Sequence, residues 1–213
     1  MTPVTNMAHP FSISPYGPDH WLLQLESSDA YASLLTIHHQ SSALILESIM
    51  GYDSLLLRTR PTTTAAELLA HTESLTSSET PQHAGRLHSI PVCYDGPDLA
   101  EVATLIGLDE DQVIKLHCAA LYTVRFLGFS PGFAYLDGLD PKLHLPRRKI
   151  PRTKMASGTV AIGGSHAGIY TIPSPGGWNW LGHTNHPLFD PSQNGTDAFT
   201  FQPGDTVKFN PIS

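Results

Sequence analysis

Five bases stand within eight positions in Pro146-Arg-Arg-Lys-Ile-Pro-Arg-Thr-Lys154, in a chain of 213 residues with only 12 Lys and Arg. The two prolines favour an extended segment. The forked guanidiniums of Arg147, Arg148 and Arg152 suit a carboxylate, carbamate or phosphate; a solvated basic loop is the competing reading. Upstream, Phe126-Leu-Gly-Phe-Ser-Pro-Gly-Phe-Ala-Tyr-Leu136 interleaves aromatics with Gly and Pro just after a strand. It reads either as an aromatic-walled loop lining a pocket, with Phe133 and Tyr135 as walls, or as a bulge with core aromatics. Downstream, Ala156-Ser-Gly-Thr-Val-Ala-Ile-Gly-Gly164 and Ser174-Pro-Gly-Gly-Trp178 carry glycine pairs. These let backbone approach a ligand or turn a tight barrel corner. Neither is a P-loop or a dinucleotide fingerprint, although exposed amides there could bind an anion.

Twelve histidines invite a metal reading, with His183 near His186 and His38 beside His39. No HExxH and no Cys/His quartet is present, so no metal site is expected. His117, on a helix before the turn-rich region, reads as a polar contact or as a hydrogen-bonded core histidine. No Gly-x-Ser-x-Gly occurs, and the catalytic residues are unassigned. Cys93 and Cys118 sit among apolar residues and read as inert thiols, too few for a disulfide framework and consistent with a reduced cytoplasmic location.

The elements that must position these residues fall into two parts. Residues 1–100 carry ten acidic and three basic side chains, residues 101–213 nine of each, and the total is −7. Of 35 Gly and Pro, 22 lie after residue 127. A content of 40% hydrophobic and 15% charged residues suits a packed core rather than a disordered chain. Net acidity argues against nucleic acid, and no run approaches the roughly 18 apolar residues of a membrane helix. The N-terminus, MTPVTNMAHPF, lacks the basic and apolar regions of a signal peptide.

The first part reads β-β-α-β-β-α-β. Its strands are expected at Phe11–Pro15, Trp21–Leu25, Ala43–Ile49, Ser54–Arg58 and Arg86–Tyr94. A first helix capped by Ser27 or Ser28 starts near Asp29, with Tyr31, Leu34, Leu35 and His38 facing inward. The second, Ala65–Leu75, turns Ala66, Leu69 and Leu75 inward. This is an α+β sandwich of residues 1–95. Residues 96–213 open with two helices: Asp98 caps the first, Gly107 stops it, and the acidic Asp109–Gln112 starts the second. Short apolar runs between Gly/Pro turns follow, at Leu121–Leu127, Thr159–Ile162, Gly168–Ile172, Trp178–Leu181, Ala198–Phe201 and Val207–Phe209. They predict a closed β-barrel.

Together these segments resemble one family, that of the B-type subunits of 5-oxoprolinase, also known as the Kip-type kinase inhibitor or allophanate hydrolase subunit 1 family. The resemblance is carried by Ile90-Pro-Val-Cys-Tyr94, Gly96-Pro-Asp-Leu99, Phe126–Leu136, Pro146-Arg-Arg148, Pro151-Arg152, Val160-Ala-Ile-Gly-Gly164, Gly168-Ile-Tyr170, Ser174–Trp178, Leu188-Phe-Asp-Pro191 and Pro203-Gly-Asp205. It implies an α+β N-terminal domain followed by a cyclophilin-like β-barrel C-terminal domain. It implies a component of an ATP-dependent 5-oxoprolinase, converting 5-oxoproline to glutamate, with a composite active site shared with a homologous C-type subunit of the Kip antagonist type. An assembly of this kind also includes a third, lactam-utilisation-type subunit, and ATP is the cofactor of the complex. The alternatives implied are inhibition of histidine kinase autophosphorylation and the carboxyltransferase half of a urea carboxylase. The site expected from residue chemistry and family position comprises Phe133, Tyr135, Arg147, Arg148, Arg152, Gly176, Gly177 and Trp178, with His117 or His183 as polar contacts. The chain departs from the family pattern at His166-Ala167, Thr171, His183 and Asn185, and its loop between Tyr94 and Gly96 is shortened.

Overall fold

The computed structural model describes residues 11–27, 30–40, 42–76 and 85–212. Residues 1–10, where no leader is expected, and Ser28 and Asp29, one of the two expected caps and the expected start of the first helix, lie outside the described residues; the other expected cap, Ser27, is not the cap, a place taken by Ala30 without a side-chain hydrogen bond. The chain divides into two compact units, Met1–Ala84 and Gly85–Ser213.

In the first unit, β1 (Phe11–Pro15), β2 (His20–Leu25), β3 (Ile45–Met50) and β4 (Ser54–Thr59) form an antiparallel sheet in the order β1-β2-β4-β3. Phe11 and Ile13 on β1, and Leu55 and Leu57 on β4, are buried at alternate positions, as a sheet covered on one face requires. Helices α1 (Tyr31–His39) and α2 (Ala65–Thr76) pack on it and on each other. Their phases differ from the expected ones. α1 buries Tyr31, Leu34 and Ile37, and leaves His38 at the edge, where Nδ1 meets Ser48 Oγ at 2.8 Å. α2 buries Leu68 and Thr72, and Ala66 is exposed. A capping box fixes its start: Thr64 N donates to Glu67 Oε2 and Glu67 N donates back to Thr64 Oγ1.

The second unit opens with β5 (Leu87–Cys93), then α3 (Leu99–Ile106) and α4 (Glu110–Ala119). Strands β6 (Tyr122–Leu127), β7 (Ala134–Asp137), β8 (Arg152–Met155), β9 (Thr159–Gly163), β10 (His166–Ile169), β11 (Ser174–Gly176), β12 (Asn179–His183) and β13 (Thr206–Ile212) follow. Seven of them close a barrel in the order β10-β7-β6-β13-β5-β12-β9, while β8 and β11 form a separate two-stranded ribbon. The sequence pattern assigns β5 to the close of the first unit. It instead runs parallel to β13 along its whole length, from Leu87 opposite Thr206 to Cys93 opposite Ile212. The division therefore falls between Ala84 and Gly85 rather than after residue 95. The expected strand Ala198–Phe201 is a 3-10 turn (Gly195–Ala198) and one bridge between Phe199 and Phe189. No helix among the described residues is long and apolar enough to cross a membrane.

Ile90, Val92, Val124, Leu136, Val160, Ile162, Leu181, Val207 and Phe209 belong to the barrel core, which α3 and α4 join through Val102 and Val113. α3 ends at Gly107 in the left-handed region (φ 70°) and α4 follows the acidic start, both as expected; a capping box between Asp109 and Gln112 adds to that start. His117, a candidate site residue, belongs to this core. It is fully buried, its ring stacks on Phe209 at 4.6 Å, and Nδ1 lies 2.7 Å from the Tyr94 hydroxyl. Nε2 has no partner, so a second proton there would be an uncompensated buried charge. Burial accordingly pushes the His117 pKa down to about 3.

This placement has a thermodynamic consequence. Unfolding returns His117 to a pKa of about 6.5, so between roughly pH 6.5 and 3 the unfolded chain takes up a proton that the folded chain refuses. Folding stability from this group is complete above the unfolded pKa and falls as pH drops through that window. The slope is about 1.4 kcal/mol per pH unit. Urea denaturation at pH 4 to 6 should show a His117→Gln variant with a slope shallower by that amount; parallel curves would refute it.

Candidate functional site

Strand alternation determines what the outside of the barrel carries. Val160 and Ile162 of β9, Ala167 and Ile169 of β10, and Ala134 and Leu136 of β7 lie in the barrel core. Ala161, Gly163, Gly168 and Tyr135 therefore face outward. On this outer face Phe133, Met155, Ala161, Tyr170 and Trp178 form a second buried cluster, with Tyr135 and Trp180 packed against it. The small residues make room for the rings. A Cβ on Gly163 would meet the Trp178 ring at 2.8 Å, and one on Gly168 would meet Phe133 Cζ at 2.9 Å. Trp178, 4% exposed, stands edge-on to Phe133 at 5.4 Å and to Tyr135 at 5.6 Å. Tyr135 stacks on Phe126 at 4.3 Å and nearly parallel. Phe129 adds an edge contact to Phe133 at 5.5 Å while 61% exposed. It holds φ at 68°, the one positive φ on a non-glycine among the described residues. Both readings of Phe126–Leu136 thus meet in one loop: Phe133 is core, and Tyr135 and Phe129 border the surface.

The arginines divide. Arg147 extends its guanidinium over the Trp178 ring, 5.8 Å from the centroid. It also lines a cavity of about 350 Å³ with Glu101, Leu105, Pro146, Lys149 and Ile150. Arg148 and Arg152, expected to hold a substrate anion, are turned to the chain's own Asp98. Arg152 donates through both terminal nitrogens, at 2.8 and 2.6 Å, and Arg148 Nη1 donates to Asp98 and to Glu101, each at 2.8 Å. Asp98 is 2% exposed and also accepts from Trp180 N at 2.8 Å. A carboxylate so deeply buried needs compensating charge, and these two bases supply it. Asp98 does stand at the start of α3, but its side chain caps no amide.

Of the other expected residues, Gly177 accepts from Arg148 N at 2.7 Å, tying the basic segment to the end of β11. A Cβ on Gly176 would overlap the Tyr170 hydroxyl, at 2.2 Å. The spaces beside Gly163 and Gly176 are thus filled by the chain's own rings, so these two positions do not form a phosphate cradle, whereas Gly164 has open space beside it and a Cβ on Gly177 would make only ordinary contacts. His183 ends β12, five residues from Trp178, and pairs through Nδ1 with Asp95 Oδ1 at 2.8 Å. Neither His183 nor the buried His117 joins the aromatic group.

Sequence reasoning overlooks Asp98 as a charge centre, and Met155, Tyr170 and Trp180 as parts of the aromatic cluster. It also overlooks a polar border beside Tyr135, where Asp137 lies 3.1 Å from His166 Nε2 and 3.8 Å from Arg125 Nε. The available signal is the outward series Ala161, Gly163 and Gly168, small residues on neighbouring strands that large rings must cover. Asp98→Asn should cost about 2–3 kcal/mol of stability, the quarter-exposed arginines recovering part of their hydration. Arg148→Ala, which leaves the Arg152 fork, should cost about half as much. Equal losses in urea melts would contradict this ranking.

Residues 11–199 match the family described as "Carboxyltransferase domain, subdomain C and D". The B-type subunit of 5-oxoprolinase from Escherichia coli O157:H7 is 38% identical over 200 residues, covering 89% of this chain and 91% of that protein. The urea amidolyase of Lachancea kluyveri is 34% identical over 104 residues, covering 44% of this chain and 6% of that protein. The crystal structure of TTHA0988 superposes with a TM-score of 0.78 at 35% identity, covering 91% of this chain and 40% of that one. With a family match over most of the chain and a relative matched nearly end to end, the protein belongs to the carboxyltransferase subdomain C and D family, on the branch of the B-type 5-oxoprolinase subunits.

Proposed function

We propose that the chain is the B-type subunit of an ATP-dependent 5-oxoprolinase, acting on the cyclic amide of 5-oxoproline only within an assembly. The observation carrying this is the single guanidinium of Arg147 poised over the Trp178 face. Arg147 has no acidic partner among the described residues, unlike Arg148 and Arg152. A five-membered lactam acid has one flat, weakly polar ring and one carboxylate. The ring suits the half-buried Tyr135 at the edge of the aromatic layer, and the carboxylate suits Arg147. The nearby Asp137–His166 pair supplies the polar border that a lactam N–H or C=O requires. The aromatic surfaces exclude water from one side of the ring and orient the amide toward whatever completes the site.

ATP in this reading is used by the complex and bound outside this chain. The expected partners are a homologous C-type subunit and a third, lactam-utilisation-type subunit. The exposed Phe129 and the open basic cavity are consistent with a site finished by another chain. A carboxyltransferase role is the second reading, favoured by the urea amidolyase likeness.

Co-purification with a candidate C-type subunit, followed by 5-oxoproline-dependent ATP hydrolysis in the reconstituted complex, tests the proposal. Arg147→Ala should raise KM for 5-oxoproline by about tenfold or more, the worth of one charge-assisted hydrogen bond, with a smaller change in kcat. An unchanged KM would remove Arg147 from the site. Biotin-dependent carboxyl transfer without oxoproline turnover would favour the second reading.

A further inference from the structure

A second cluster occupies the outer face where β5 meets β12. Cys93, Asp95 and His183 bring a thiol, a carboxylate and an imidazole within 4.8 Å of one another. Their placement follows from the sheet. His183 stands directly opposite Cys93 in the antiparallel pairing of β12 with β5, and directly opposite residues share a face. Val92 is a core residue, so Cys93 faces outward, and Asp95 follows it by two positions.

His183 reaches that face because of a bulge. Trp180 pairs with Ala161 and Gly182 with the adjacent Val160, so one extra residue is accommodated at Leu181. Without it, His183 would alternate into the core; with it, the imidazole turns outward. Gly182 makes the bulge compatible with β5, because a Cβ there would overlap the Cys93 carbonyl oxygen, at 2.3 Å. The backbone is thus fixed before any ligand arrives.

We infer that Cys93, Asp95 and His183 form a binding site for one divalent transition-metal ion of zinc-like character, with a fourth position open to solvent. The donor set argues for this class. Sulfur selects against magnesium and calcium, and thiolate, imidazole and carboxylate are all zinc donors. A surface ion pair accounts for His183 and Asp95, whose side chains are 39% and 56% exposed, but not for the third donor. Cys93 is a free thiol, and the other cysteine, Cys118, is engaged by the Tyr94 hydroxyl at 3.2 Å. The geometry needs little change. A tetrahedral ion with bonds of about 2.0–2.3 Å needs its donors about 3.3–3.6 Å apart. His183 Nδ1 and Asp95 Oδ1, now 2.8 Å apart around a shared proton, would open slightly as the ion replaces that proton. The thiol would close in and release its own proton to solvent. No local spacing announces the site, since Asp95 and His183 are 88 positions apart.

The test is to titrate the chelator-treated full chain with Co²⁺ and then Zn²⁺. One equivalent of Co²⁺ should produce a thiolate-to-cobalt charge-transfer band and the intense d–d bands of a four-coordinate ion, and Zn²⁺ should abolish both. Cys93→Ser should remove the charge-transfer band. Asp95→Asn and His183→Gln should each weaken Co²⁺ binding by about tenfold or more. Those two side chains are at the surface, and an unchanged far-ultraviolet circular dichroism spectrum would show that their loss of binding is not loss of fold. Absence of the charge-transfer band, its survival in Cys93→Ser, or undiminished affinity in both other folded variants would overturn the inference.

Discussion

Of the two acidic side chains buried in the second unit among the described residues, Asp98 and Asp205, it is Asp98 that ties the basic segment to the barrel. Asp98 accepts from Arg152 twice, from Arg148 once and from the Trp180 amide once. Its oxygens are removed from water, so every surrounding donor is held in place by the cost of leaving it unpaired. Those donors come from the start of β8, the basic segment and β12, which are far from Asp98 in the chain. The functional consequence lies with the neighbours. Arg148 turns to Asp98 and Glu101, while its neighbour Arg147 lies over Trp178. One internal anion consumes two of the bases and leaves a third to the aromatic face.

The aromatic face depends on a complementary device. A barrel strand usually presents a polar side chain outward, but β9 and β10 present Ala161, Gly163 and Gly168 there. Rings borne on connections, Phe133 and Trp178, then lie directly on the sheet and bury an apolar layer outside the barrel core. The layer is rigid, its rings meeting edge-to-face and filled to contact distance. Phe129, in a backbone conformation that a phenylalanine ordinarily avoids, carries its ring out to the solvent border of this layer. Interaction with a ligand or another chain would make that placement useful.

What is legible in the sequence tracks how local its cause is. Period-two alternation reveals β1, short apolar runs reveal β4, β6 and β9, and the acidic start at Asp109–Gln112 and Gly107 mark helix ends, because each signal lies within a few residues. β5 reads as part of the wrong unit because its long partner, β13, begins more than a hundred residues later. β7 is hidden in Phe126–Leu136, where Gly and Pro argue for a loop and only a return pairing with β6 makes a strand. Asp98 resembles a helix cap because an Asp ahead of an apolar helix usually is one. Two charge-assisted partners outcompete a backbone amide, and nothing near Asp98 in sequence announces Arg148 and Arg152. Phe133, Tyr135, Trp178 and Arg147 are legible as one group, but the division of the arginines between an internal carboxylate and the open face is not.

β12 shows how one irregularity can serve two ends of a strand. Its first residues support Trp180 against the aromatic layer, and its last carries His183. A regular strand of this length could not place both Trp180 and His183 on the outer face, because an odd separation puts them on opposite sides. The extra residue at Leu181 changes the parity while keeping Leu181 itself in the core. Removing the bulge would therefore do more than shorten the strand. It would force a choice between the Trp180 side chain on the aromatic layer and the imidazole that reaches Asp95, since restoring the alternation for one turns the other inward. Gly182 permits the arrangement sterically, which makes a residue with no functional group of its own the condition for both.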